Sequence, residues 1–144
     1  STPIETSHLI LCQGDAARTE GPFRNLPFLS AKGEILRLRI PEMVAETRIL
    51  HSGIWLVKDV EEEFLCGSTY EWDQLDTVPT NAGRDKLLNA LKGLITVPFE
   101  VLDHRAGVRP IIDQQRPVVG WHPKWSRVGI LNGLGSKGSL LAPY

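Results

Sequence analysis

The C-terminal stretch Val128-Gly-Ile-Leu-Asn-Gly-Leu-Gly-Ser-Lys-Gly-Ser-Leu-Leu-Ala-Pro143 constrains this chain more than any other. Val128 to Leu131 is a short apolar run that reads as a buried strand. Gly133, Gly135 and Gly138 follow it, and Ser139-Leu-Leu-Ala142 reads as the first turn of a helix. Glycines between a strand and a helix let the backbone approach a ligand without Cβ atoms in the way. Amides at the helix start would suit an anion or a polarised carbonyl.

Gly133-Leu-Gly-Ser-Lys-Gly138 also satisfies the spacing G-x-G-x-x-G. That fingerprint needs a crossover unit of about 30 residues and an acidic residue about 20 positions on. The sequence runs only six residues past Gly138. The loop is therefore read as the last element of a site whose other parts come earlier. The alternative is a glycine-rich turn with no ligand.

At 144 residues the chain suits one domain or a piece of a larger one. Its 42% hydrophobic and 23% charged content is that of an ordinary globular protein. A net charge of -1 gives no direct signal for nucleic acid or an anionic membrane. No apolar run approaches the roughly 20 residues of a membrane span. The opening Ser-Thr-Pro-Ile-Glu-Thr has no signal-peptide character, and without Met it suggests a trimmed chain. Cys12 and Cys66 lie in no metal or redox spacing, and each sits in a strand-like run, where a buried thiol is expected. These features point to the cytoplasm.

Along the chain, His8 to Cys12 reads as a strand buried on both faces, of the parallel-sheet kind. Gly33 to Ile40 alternates Leu36, Leu38 and Ile40 with Arg37 and Arg39, the mark of a half-buried antiparallel strand. Arg48–Lys58 and Glu63–Tyr70 are further strand-like runs, with Asp59 to Glu63 as a hairpin turn. Neighbouring carboxylates on a strand alternate faces, so that glutamate run does not converge on one ion. Thr80 caps a predicted helix carrying Leu87, Leu88, Leu91, Leu94 and Ile95, and Val97 to Leu102 follows as a strand. Arg116–Gly120 and Trp121–Trp125 are short and turn-rich. The pattern is α+β: the chain leaves one layer, builds an antiparallel sheet with one main helix, and returns.

Among the charges, Arg109 is the most informative. If the strand from Val97 ran unbroken, its parity would turn Arg109 to the apolar side, where a guanidinium needs an anionic partner. A substrate carboxylate would supply one, and so would Asp103 or Glu71. The histidines at 8, 51, 104 and 122 share no ligand spacing. Ser136 is not in a nucleophile elbow, and Lys137 and Ser139 do not complete a P-loop. Trp55, Trp72, Trp121 and Trp125 read as core or rim packing.

Three motifs in order carry a resemblance. Ala106-Gly-Val-Arg-Pro110, Arg116-Pro-Val-Val-Gly120, and Asn132-Gly-Leu-Gly-Ser-Lys-Gly138 with Leu140-Leu-Ala-Pro143 resemble the C-terminal part of the FAD-dependent D-amino-acid oxidase and glycine oxidase family. Leu11-Cys-Gln-Gly14 is similar to a late strand of that family's FAD domain. Ala31-Lys-Gly-Glu-Ile35 and Gly67-Ser-Thr-Tyr-Glu71 are similar to its substrate-domain strands.

The resemblance implies a discontinuous, Rossmann-like FAD domain with an antiparallel substrate domain inserted in it. Residues 1–30 and 111–144 would be FAD-domain pieces, and 31–110 the substrate domain. Arg109 would hold the carboxylate of a small amine or amino-acid substrate. Gly133, Leu134, Gly135, Ser136, Lys137 and Gly138 would lie against the flavin, with Gln13 and Gly14 at a nearby strand end. No residue is assigned to bond-making, and no metal is implied. The family reaction passes a hydride from the amine-bearing carbon to flavin, leaving an imine for hydrolysis.

The family's N-terminal βαβ unit, with its diphosphate-binding glycines, has no counterpart here. The 144 residues alone are therefore expected to bind FAD poorly or not at all, to be inactive, and to self-associate through exposed sheet edge. Glycine oxidases carry a second arginine where this sequence has Ser136. The loop also resembles the FAD domain of the bifunctional tRNA wobble-uridine modification enzyme. A non-catalytic binding domain on the same scaffold is the alternative from a different class.

Overall fold

The computed structural model describes residues 3–113 and 116–143. Only the outermost ends of the expected segments 1–30 and 111–144, and residues 114 and 115, lie outside the described residues. The chain divides into two compact units, one of residues 32–108 and one of residues 1–31 with 109–144.

The continuous unit is built on a five-stranded sheet. Its strands are β2 (Ala31–Arg39), β3 (Leu50–Ser52), β4 (Ile54–Val60), β5 (Glu63–Gly67) and β6 (Glu100–Arg109), in the order β3-β4-β5-β2-β6. Adjacent pairs β3–β4, β4–β5 and β2–β5 are antiparallel. Register places Leu36 opposite Cys66 and Leu38 opposite Phe64, while Cys66 also faces Leu56 on β4. These side chains share one face, and with Ile40 and Ile54 they form its buried core.

Helix α1 (Asn81–Leu94) covers that face with Leu87 and Leu91, one turn apart and fully buried. Burying each contributes about 1.5–3 kcal/mol, so Leu91→Ala would cost about 2–5 kcal/mol through the cavity it leaves. The cap is the expected one: Thr80 Oγ1 accepts the Gly83 amide at 3.0 Å. Beyond the helix, Ile95 leaves helical geometry and Pro98 cannot continue it.

Three expectations change here. The run Arg48–Lys58 is two strands, because Gly53, at φ +73°, turns the chain between Ser52 and Ile54. The later strand begins at Glu100 and continues unbroken to Arg109. Its odd positions are not an apolar side at Asp103 and Arg105, which pair with each other at 2.5 Å and stand 41% and 62% exposed. The hairpin at the glutamate run is as expected, with Glu61 in the left-handed region at φ +44°.

The other unit holds a three-stranded sheet ordered β1 (Leu9–Leu11), β8 (Val128–Asn132), β7 (Val118–Trp121). β1 runs parallel to β8, with Leu9 beside Val128 and Leu11 beside Ile130, and β7 runs antiparallel to β8. Central β8 is the buried strand that its apolar run predicts, while β7 forms within a segment read as turns. β1 is not buried on both faces. It is the sheet's outer strand among the described residues, with Leu9 and Ile10 47% and 50% exposed. Cys12, just beyond it, is exposed rather than buried, whereas Cys66 is buried as expected.

Candidate functional site

The parallel pair β1–β8 ends on the same edge; β8 runs directly into Gly133, and β1 reaches Gly14 after Cys12 and Gln13. After β1, Gln13 leads to Gly14 at φ +59°, which opens a short 3-10 turn over Gly14–Arg18. After β8, Asn132 leads to Gly133 at φ +76° and Gly135 at φ +55°. Such conformations are strained for any residue with a Cβ. At Gly133 the constraint is double, since a Cβ would also come within 2.9 Å of the Ile112 side chain.

Asn132, 3% exposed, joins the two turns. Its Nδ2 donates to the Gly14 carbonyl at 2.8 Å, and its Oδ1 accepts the Gly133 amide at 2.7 Å. The far side of the loop is fixed to the exit of β6. The Gly135 amide donates to the Pro110 carbonyl at 3.0 Å, and Leu134 bridges buried Ile111. Arg109, directly before Pro110, is half-buried. The fold thus gathers Gln13, Gly14, Gly133–Gly138 and the backbone next to Arg109 into one unit.

The loop closes into α2 (Gly138–Leu141), only four residues long. The amides of Gly133, Gly135 and Lys137 are used internally, the last on the Leu134 carbonyl at 3.0 Å. Those of Ser136, Gly138 and Ser139 have no acceptor within the chain among the described residues. The donors offered by the loop are therefore fewer than the glycine spacing suggests, and they cluster after Gly135.

A family model described as "FAD dependent oxidoreductase" matches residues 2–144. The chain belongs to that family.

Glycine oxidase of Bacillus subtilis (strain 168) is 26% identical over 121 residues, covering 83% of this chain and 33% of that protein. The fold is similar to that of iminodiacetate oxidase from Chelativorans sp. BNC1, with a TM-score of 0.82 at 24% identity, over 95% of this chain and 39% of that one. It is similar also to glycine oxidase from Geobacillus kaustophilus, with a TM-score of 0.79 at 24% identity, over 94% of this chain and 38% of that one. The chain thus spans about a third of the length of the curated relative.

The family's cofactor can be tested against the residues at this edge. Space is open where a Cβ on Gly14 would stand, and unengaged amides remain at Ser136, Gly138 and Ser139. An approachable backbone with spare donors fits one side of a flavin. No metal-binding group of three or more His, Cys, Asp or Glu occurs among the described residues. His122 accepts the Lys124 amide at 3.1 Å and stacks on Trp125 with centroids 4.5 Å apart. No helix among the described residues is long and apolar enough to cross a membrane.

A second polar constellation lies in the continuous unit, and sequence reasoning missed it. Lys32 and Glu34 are both fully buried on β2, where alternation gave only the apolar positions beyond them. Lys32 Nζ donates to Asp76 Oδ1 and to the Val78 carbonyl, each at 2.5 Å. That hydrogen bond holds the Asp76 carboxyl below its usual range. Glu34 accepts the Thr80 amide at 3.0 Å and the Thr80 hydroxyl at 2.8 Å. His104 Nε2 lies 2.7 Å from Glu34 Oε2, a close contact without hydrogen-bond alignment. No local signal could have revealed this arrangement, since Thr80 and Asp76 lie more than 40 residues from Glu34 and Lys32 in sequence.

Proposed function

We propose that this chain supplies the substrate arginine and one flavin-facing edge of an oxidase acting on an amine or amino acid. The supporting observation is the hydrogen bond from Gly135 to Pro110, which ties the glycine loop to the residue next to Arg109. On this reading, residues 1–30 and 111–144 belong to the FAD domain and 31–110 to the substrate domain.

Arg109 would bind the substrate carboxylate through its planar fork, fixing the orientation of the amine-bearing carbon. The amides of Ser136, Gly138 and Ser139 would face the electron-rich side of the cofactor as preorganised donors. Gln13 and Gly14 would hold the neighbouring backbone close. Bound FAD would supply the hydride acceptor, chemistry that belongs to the cofactor. Glycine oxidase is the name of the curated relative, and a small amino acid is the substrate class this reading favours. The 144 residues are expected not to turn over an amine by themselves.

The test is an FAD titration, followed by absorbance, of this chain and of the gene product that carries it. Flavin binding by the gene product, with substrate-dependent bleaching lost in Arg109→Met, supports the reading. Absence of flavin binding by both would overturn it in favour of a non-catalytic binding domain.

A further inference from the structure

We infer that Asn132 is a positioning residue that locks the two glycine turns into a single cofactor-facing edge. The inference rests on the reading above and adds a residue which that reading does not use.

Gly14 and Gly133 are far apart in sequence, and each is held at positive φ although a backbone without Cβ is free to take other conformations. Parallel pairing brings the two strand ends together, because Leu11 lies beside Ile130 in the ladder. In open sheets, ligands bind outside the carboxyl ends of parallel strands. That ladder stops before either glycine. What continues the connection is one buried amide, which donates to Gly14 and accepts from Gly133. Asn is the smaller of the two amide side chains that carry a donor and an acceptor on separate atoms of one plane. Asp would keep the bond to the Gly133 amide and set an anionic oxygen against the Gly14 carbonyl. Leu or Ala would leave the buried Gly133 amide and the half-buried Gly14 carbonyl without this partner.

The roles can be separated with two variants. In the 144-residue chain, amide hydrogen exchange reads the clamp directly. Asn132→Ala should lower protection of the Gly133 amide by about tenfold or more, while Ile130 within the ladder stays protected. Asn132→Asp should retain protection at Gly133. In the gene product that carries these residues, FAD affinity is then measured at a temperature where circular dichroism shows every variant folded. Both variants should bind FAD about tenfold more weakly than the wild type. For Asn132→Asp this occurs although Gly133 is still held, which a purely stabilising role would not produce.

Unchanged exchange at Gly133 in Asn132→Ala would overturn the clamp itself. Lost protection with unchanged FAD affinity would overturn its link to the cofactor. A wild type that binds no FAD would overturn the proposed function, and with it the cofactor role, while the exchange result still decides whether the clamp exists.

Discussion

The Glu34 carboxylate occupies the space that a side chain on Gly83 would need. A Cβ built on Gly83 would stand 2.5 Å from Glu34 Cδ and 2.6 Å from Oε1. Glycine at the third position of α1 is thus required by packing, and a buried acid on β2 serves as a second anchor for the helix start. Thr80 caps the helix locally, and Glu34 in turn holds Thr80.

Gly83→Ala should therefore destabilise the protein, against helix propensity, which favours Ala by about 1 kcal/mol. Moving the carboxylate breaks its hydrogen bonds with Thr80, and the net cost should be about 1–3 kcal/mol. Urea unfolding of the wild type and the variant measures this. Combining the change with Glu34→Ala should remove most of the added penalty, since the clash disappears. A higher midpoint for Gly83→Ala alone would refute the packing argument.

Acid should loosen the segment around Asp76 in a way that depends on Lys32. The Asp76 carboxyl is held below its ordinary value of 3.8, first by its hydrogen bond from Lys32 and then by the Val78 amide. A depressed folded-state pKa contributes stability that is present above the unfolded value and lost as pH falls through the folded one. In Lys32→Met, the Asp76 resonance followed by NMR should titrate closer to 3.8. Coincident titration curves in the two proteins would contradict the assignment.

The thiols should react very differently. Cys12 is exposed, while Cys66 is buried and desolvation pushes its pKa up to about 11. An aromatic disulfide reagent at pH 8 should modify Cys12 promptly and leave Cys66 untouched until denaturant is added. Immediate modification of both would mean that Cys66 is not sealed under α1.

Arg109 should matter for substrates that carry a carboxylate and not for those that lack one. Arg109→Lys keeps the charge but loses the bidentate fork, so kcat/KM of the gene product for amino acids should fall about 10- to 100-fold. Turnover of a simple amine should be nearly unaffected. An equal loss on both substrate types would point to a structural role for Arg109 instead.

Much of this architecture was legible in the chain. Leu36, Leu38 and Ile40 alternate on β2, and Leu87 and Leu91 lie one turn apart on α1. Such local periodicities hold whatever the neighbours are. Glycines at 133 and 135 announced backbone that no other residue adopts easily. Thr80 announced the helix start. The motif order also carried the family resemblance, although no single motif would have sufficed.

Tertiary structure decided the rest, because burial of a charge or an amide depends on partners distant in sequence. Nothing local to Lys32, Glu34 or Asn132 marks them as interior: their partners are Asp76, Thr80 and Gly14, brought close only by chain folding. β1 was misread for the same reason. Its apolar residues specify a strand, but whether a strand is central or outermost is set by which others pair with it, and β1 has β8 on one side alone among the described residues. Sequence determined the glycine turns after β8 and most of the elements, though not β7 or the break between β3 and β4. Folding determined which polar groups those elements enclose, since the cost of burying a polar group is offset only by a partner in place.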